Sequence, residues 1–132
     1  MQLALRYGLT GIGALALLSL VQWLRDLHVH SGPLGEYLLG VTPNFAAAMA
    51  ITFVLLSAWA DWNRRATMES VRKGFATCTA ISGFGLISWE FVQRASGRFV
   101  FDLSDILATL VGIGASALLF LAISPRVDSG NQ

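Results

Sequence analysis

The chain has few charged residues and a single cysteine. Of its 132 residues 13% are charged, whereas a soluble domain carries about 25%. Hydrophobic residues make up 55%, and the mean hydropathy is +0.62. This composition excludes an ordinary soluble domain and is typical of an integral membrane protein. Because Cys78 is the single cysteine, an internal disulfide and a metal site of several cysteines are also excluded.

Other features that the sequence lacks argue against several classes of function. No linker or low-complexity tract divides the chain, so we predict one domain over residues 1–132. A net charge of +1 gives no reason to expect a nucleic-acid partner. The sequence has no nucleophile motif of serine or cysteine, no H-E-x-x-H and no phosphate-binding glycine loop, so we expect no catalytic residue and no cofactor. His28 and His30 are only two ligands, which do not make a metal site, so we expect no metal.

Four apolar segments are long enough to cross a bilayer, which takes about 20 helical residues. We therefore predict an all-α integral membrane protein with transmembrane helices at about 5–24, 44–62, 74–94 and 102–123, arranged as an antiparallel bundle. The first segment also resembles a secretory signal. It lacks a small-x-small cleavage site and ends in an interfacial anchor with Trp23, so we favour a retained helix.

The segment between the first two spans is broken by glycine and proline. We expect a short interfacial helix at about 33–39, lying on the outer surface. Thr42 and Pro43 then suit the N-cap and the first turn of the second span.

Basic residues in short loops predict the orientation, because they are retained on the cytoplasmic side. Six of them fall on one side of the predicted bundle and three on the other. The larger set is Arg6, Arg64, Arg65, Arg72, Lys73 and Arg126, and the smaller is Arg25, Arg94 and Arg98. This split predicts that both termini are cytoplasmic and that the hairpin between the third and fourth helices is external.

Polar residues concentrate in that hairpin. Glu90 lies roughly 22 Å along the third helix from Phe75, which is still within a hydrocarbon core of about 30 Å. A charge at such depth is costly, so Glu90 should face protein or water, with Gln93 one turn away on the same face. A purely structural alternative is an ion pair between Glu90 and Arg94 at i+4.

The two aspartates after the hairpin also have a structural explanation. Asp102 suits the N-cap of the fourth helix and Asp105 its first turn, where negative charge is favourable. Asp105 lies at a depth similar to that of Glu90 and is the stronger functional candidate. Arg98 in the loop is a candidate counter-ion or a ligand for an anionic head group.

Small residues recur at helical spacing on the third and fourth helices. Ala76, Ala80 and Gly83 form one stripe, and we expect it to face the bundle centre or the stripe on the fourth helix. The stripe on the fourth helix consists of Ala108, Gly112 and Ser116. Thr79 and Ser82 are expected to form hydrogen bonds between helices.

The ordered set of Glu90, Gln93, Arg98, Asp102 and Asp105, followed by a small-residue helix, resembles the VanZ-like membrane proteins, a family named for a teicoplanin-resistance protein of bacteria. It covers about a fifth of the chain. Thr109 stands where the family has an asparagine, and Ser116 replaces a glycine. The resemblance implies a multi-pass protein of a bacterial or archaeal cell membrane, linked to envelope or glycopeptide tolerance.

The leading hypothesis is a polar pocket at the outer face that binds the head group of an envelope lipid or precursor. The expected ligand-binding residues are Glu90, Gln93, Arg98, Asp102 and Asp105. The alternatives are a scaffold subunit that packs against another membrane protein or itself, a small four-helix exporter, and an enzyme in which Glu90 or Asp105 acts as general acid or base on a lipid head group. The exporter is disfavoured because the first span contains no acid. In every case the lipid bilayer is a partner.

Overall fold

Four α-helices make up nearly all of the chain that the structure describes. The computed structural model describes residues 2–28, 32–95 and 103–124, with the backbone alone at Arg94. The helices are α1 (Gln2–Asp26), α2 (Gly32–Trp62), α3 (Met68–Ala95) and α4 (Leu103–Ile123). All four are long and apolar enough to cross a membrane, and these ranges contain no strand. The prediction of an all-α membrane protein with four candidate spans is confirmed.

Local backbone geometry and capping set the ends of the helices. After α1, His28 adopts a positive φ of 51°, which is unfavourable for a non-glycine residue and ends the helix. The Nδ1 atom of His28 lies 2.9 Å from the carbonyl oxygen of Asp26. α3 begins at Met68, earlier than the predicted start near 74, because Thr67 caps it. The Thr67 Oγ1 atom accepts a hydrogen bond of 3.3 Å from the backbone N–H of Ser70.

The largest difference from the sequence prediction lies at the start of α2. No separate interfacial helix exists at 33–39, because those residues are the first turns of a continuous helix of 31 residues. Pro43 lies inside this helix and does not start it. The Thr42 hydroxyl does not act as an N-cap but donates a 2.6 Å hydrogen bond back to the Leu38 carbonyl. At 1.5 Å per residue α2 is about 46 Å long, longer than a hydrocarbon core of about 30 Å.

α2 is the central helix of the bundle and contacts the other three. Small side chains dominate its buried surface, among them Ala46, Ala48 and Ala50. Large apolar side chains such as Phe84 and Leu118 point outwards instead. This distribution suits a protein in lipid, where small residues let helices approach closely and an apolar exterior is solvated by acyl chains.

One aromatic ring from each helix meets at one end of the bundle. This aromatic cluster consists of Tyr7, Phe53, Phe75 and Phe120, with the last two rings stacked at a centroid distance of 4.2 Å. The hydroxyl of Tyr7 also forms a 2.8 Å hydrogen bond with Ser124. The cluster therefore places the start of α1 beside the end of α4 and fixes all four helices at this end.

Candidate functional site

Glu90 is a buried acidic residue inside the helix bundle. It belongs to α3, and only 5% of its surface is exposed. The side-chain amide of Asn44 in α2 donates a hydrogen bond to its Oε1 atom over 3.5 Å. Buried ionisable groups are costly unless polar partners compensate them. The structure therefore places Glu90 facing protein, as the sequence predicted, and supplies an amide from a neighbouring helix.

Asn44 directly follows Pro43, a proline inside α2. Because Pro43 has no N–H, the Leu39 carbonyl loses the donor that a regular helix would provide. Membrane helices tolerate such a proline when nearby polar groups compensate the backbone. Twelve residues of α2 precede Asn44, so its amide lies within the helix and not at its first turn. Sequence reasoning missed Asn44 because it placed the helix start there, although an amide inside an apolar span was a usable signal.

α4 brings a second set of polar residues to the bundle. Asp105 lies in its first turn and is half-buried. One turn later the Thr109 hydroxyl donates a 3.0 Å hydrogen bond to the Asp105 carbonyl, and only 1% of Thr109 is exposed. Asp105 is therefore followed by a buried polar position that faces the interior of the bundle.

The polar residues of α2, α3 and α4 lie at the same end of the bundle, opposite the aromatic cluster. Thr42 and Phe45 of α2 line a groove of about 270 Å³ together with Ser104 and Ala108 of α4. Asn44 lies between those two α2 residues in sequence and contacts α3. Gln93 follows Glu90 by one turn on α3 and is half-buried. We call Asn44, Glu90, Gln93 and Asp105 the polar site.

Small residues allow α4 to approach α2 closely next to this site. A Cβ atom added to Gly112 would lie 2.6 Å from the Phe45 carbonyl oxygen. Ala108 and Ser116, one turn away on either side, are also buried, and the Ser116 hydroxyl bonds the Gly112 carbonyl over 2.8 Å. A Cβ on Gly83 would lie 2.7 Å from Ile113 Cδ1, so this part of α3 faces α4.

The small-residue stripe on α3 is only partly interior. Ala76 and Ala80 are exposed, so the expectation that the stripe faces inwards along its whole length is wrong. The hydroxyl of Ser82 does cross to α2, where it donates a 3.0 Å hydrogen bond to the Ala48 carbonyl. Thr79 makes no such bond, since its buried hydroxyl has no partner among the described residues.

Several predicted residues cannot be placed in this site. Arg98, Asp102 and the side chain of Arg94 lie outside the described residues. His28 is exposed, and His30 also lies outside the described part of the chain. Within residues 2–28, 32–95 and 103–124, no three histidine, cysteine or acidic side chains are arranged to hold a metal ion.

The chemistry of the polar site favours binding through hydrogen bonds. Glu90 and Asp105 supply carboxyl groups, and Asn44 and Gln93 supply amides that both donate and accept. The polar site contains no thiol or imidazole, which are the side chains that most often act in covalent or acid–base catalysis near neutral pH. Its groups are complementary to ligand hydroxyls and amides, which donate hydrogen bonds to carboxyl and amide oxygens.

Comparisons with protein-family models, with curated proteins and with solved structures found no match to this chain.

Proposed function

We propose that this chain is a VanZ-like protein of a bacterial or archaeal cell membrane, and that its polar site binds the head group of an envelope lipid or lipid-linked precursor. The observation that carries the proposal is the burial of Glu90 beside the Asn44 amide, near one end of an apolar bundle. Insertion scales put an acid at the membrane centre at about 2.5–3.5 kcal/mol, so such residues are usually kept for function.

The proposed topology is an antiparallel bundle with both termini in the cytoplasm. Contacts between α1 and α2 support the opposite directions of these helices: Gly8 lies against Ser57, and Gly11, further along α1, lies against Val54, which is earlier in α2. The excess of basic residues in the turn between α2 and α3 supports a cytoplasmic position for that turn. The polar site then opens towards the outer leaflet.

Each residue of the site has a separate role in this proposal. Glu90 and Gln93 accept hydrogen bonds from hydroxyl or amide groups of the ligand, and Asn44 holds the Glu90 carboxyl in place. Arg98 binds the phosphate of the head group through its planar guanidinium. Asp105 and Asp102 accept further hydrogen bonds from hydroxyl groups of the ligand.

The test uses isosteric replacements of the two carboxyl groups. Glu90→Gln and Asp105→Asn keep the shape of the side chains but remove their charge. Expressed in a glycopeptide-susceptible bacterium, the wild-type chain is expected to raise teicoplanin tolerance, and both variants are expected to lose that increase at equal expression. Glu36→Gln, at an exposed acid of α2, is the matched control and should behave as wild type.

Two results would contradict the proposal. One is a wild-type chain that changes neither teicoplanin tolerance nor any other envelope-stress response. The other is a pair of variants that are folded, as judged by thermal unfolding in detergent, and that act as well as the wild type.

A further inference from the structure

A groove between α2 and α3 lies at the end of the bundle opposite the polar site, alongside the aromatic cluster. It has a volume of about 490 Å³ and an apolar floor that includes Leu55, Ala58 and Ile81. Lys73 and Trp62 border the groove where the two helices approach their connecting turn. From Lys73 to Ile81 the groove extends about 12 Å along α3, given a rise of about 1.5 Å per residue.

A second, polar cavity adjoins the groove at this turn. Its volume is about 680 Å³, and Asn63, Arg64 and Arg65 line it. Trp62 and Ser70 line both the cavity and the groove, so the two spaces are neighbours on either side of these residues. Together they form one site with an apolar half and a polar half, which is the shape of a ligand with a polar head and an apolar tail.

The polar half carries a positive charge. Arg64, Arg65 and Asp61 line the cavity itself. The adjoining start of α3 adds Arg72, Lys73 and Glu69, so the net charge of residues 61–73 is 4 − 2 = +2. Arg64 pairs with Asp61 at 2.9 Å and Lys73 pairs with Glu69 at 2.7 Å. Among the described residues, Arg65 lines the cavity and has no ion-pair partner, so it is available there to an anion.

Trp62 marks the boundary between the two halves. It is 90% exposed and lies at the end of an apolar helix. Tryptophan prefers the level of the lipid head groups, where its ring is apolar and its N–H meets water. The polar half therefore lies at head-group level, and the apolar half lies among the acyl chains.

We propose that this site binds an anionic phospholipid. Its phosphate lies in the polar cavity beside Arg65, Asn63 and Ser70, and one acyl chain lies along the groove over Ala58 and Ile81. A second copy of this chain is a poorer occupant, because it would bring the same +2 cluster against itself. The bilayer supplies anionic lipid at this level, and basic residues near such a surface attract anionic head groups.

The proposal does not depend on the function proposed for the polar site. The two sites lie at opposite ends of the bundle and share no residue. A failure to bind anionic lipid here would leave the function proposed for the polar site unaffected. A failure of the polar-site function would equally leave the anionic-lipid site unaffected.

The experiment measures lipid binding to the purified full chain in a neutral detergent by native mass spectrometry. The probes are phosphatidylglycerol, phosphatidylcholine and inorganic phosphate. Both lipids carry the phosphate, but the choline group of phosphatidylcholine is a cation and is repelled by the basic residues of the site. We therefore expect phosphatidylglycerol to bind at least about tenfold more tightly than phosphatidylcholine. Inorganic phosphate should not compete at equal concentration, because it lacks the apolar tail.

Five variants locate the binding, three for the polar half and two for the groove. Arg65→Gln should abolish the preference for phosphatidylglycerol, whereas Arg65→Lys and the remote control Arg25→Gln should keep it. Ala58→Phe fills the groove and should weaken both lipids at least about tenfold, because the acyl chain loses its apolar contacts. Ala16→Phe, at an exposed alanine of α1 outside the groove, should leave binding unchanged.

The proposal is overturned if phosphatidylglycerol and phosphatidylcholine bind equally, or if Arg65→Gln keeps the preference. Competition by inorganic phosphate would identify a soluble anion as the ligand. A dimer that is lost on the Ala58→Phe replacement would identify a second copy as the occupant. Either result overturns it.

Discussion

Replacement of Gly112 by alanine is expected to destabilise the helix bundle. The added Cβ atom would lie 2.6 Å from the Phe45 carbonyl oxygen and 3.0 Å from the Ala48 Cβ atom. Favourable contacts between carbon atoms lie at about 3.5–4.0 Å, so both distances are repulsive. Because the nearer contact is backbone, no side-chain rotation relieves it, and α4 must move away from α2.

The magnitude follows from a comparison with a second glycine on the same helix. A Cβ atom on Gly114 meets nothing within 4 Å, so Gly114→Ala has only the gain in helix propensity, about 0.5–1 kcal/mol. Gly112→Ala has the same gain but also the cost of overpacking, which is typically about 1–3 kcal/mol. The difference in unfolding free energy between the two variants is therefore expected to be about 1–3 kcal/mol, with Gly112→Ala the less stable.

The assay is reversible unfolding in detergent micelles, titrated with a denaturing detergent and followed by tryptophan fluorescence and circular dichroism. Both variants should retain the helix content of the wild type before unfolding. Equal unfolding free energies for Gly112→Ala and Gly114→Ala would refute the reasoning, because the close approach of α4 to α2 would then not exist.

The remaining predictions concern buried hydroxyls and topology. Thr52→Val should keep or raise the unfolding free energy, because the buried Thr52 hydroxyl has no partner among the described residues. Ser82→Ala removes a 3.0 Å hydrogen bond to α2 and should lower the unfolding free energy by about 0.6 kcal/mol. A Thr52→Val variant less stable than Ser82→Ala would contradict the structure. Tyr7→Phe should lower the unfolding free energy by about 0.5–1.5 kcal/mol, and adding Ser124→Ala to it should cause little further loss. Additive losses in the double variant would argue against the 2.8 Å hydrogen bond between these two side chains. A reporter that works only outside the cell, fused after Gln132, should be inactive, and its activity would overturn the proposed topology.

The number of helices was predictable from the sequence, but the start of α2 was not. Apolar length alone fixes where a span is possible. Thr42 and Pro43 have the local pattern of a helix start, and in water a proline inside a helix costs about 3 kcal/mol. Membrane helices tolerate such a proline more readily, and α2 continues through Pro43.

The polar site was predictable in part for a similar reason. The depth of Glu90 along α3 follows from the helical rise, and it indicated that the side chain faces protein. Its partner Asn44 depends on the register between α2 and α3, which no single helix encodes. The same limit applies to Gly112, whose spacing predicted a packing face but not that this face lies against α2.

The central claim is that the buried Glu90 carboxyl belongs to a site for a lipid head group. Its most direct test is binding of a polyprenyl-pyrophosphate-linked sugar precursor to the purified chain, comparing the wild type with Glu90→Gln and the control Glu36→Gln. We expect the wild type and the control to bind equally, and Glu90→Gln to bind about tenfold more weakly, since a ligand donor left without its acceptor costs about 1–3 kcal/mol. Equal affinity in all three proteins, or no binding by the wild type, would contradict the claim.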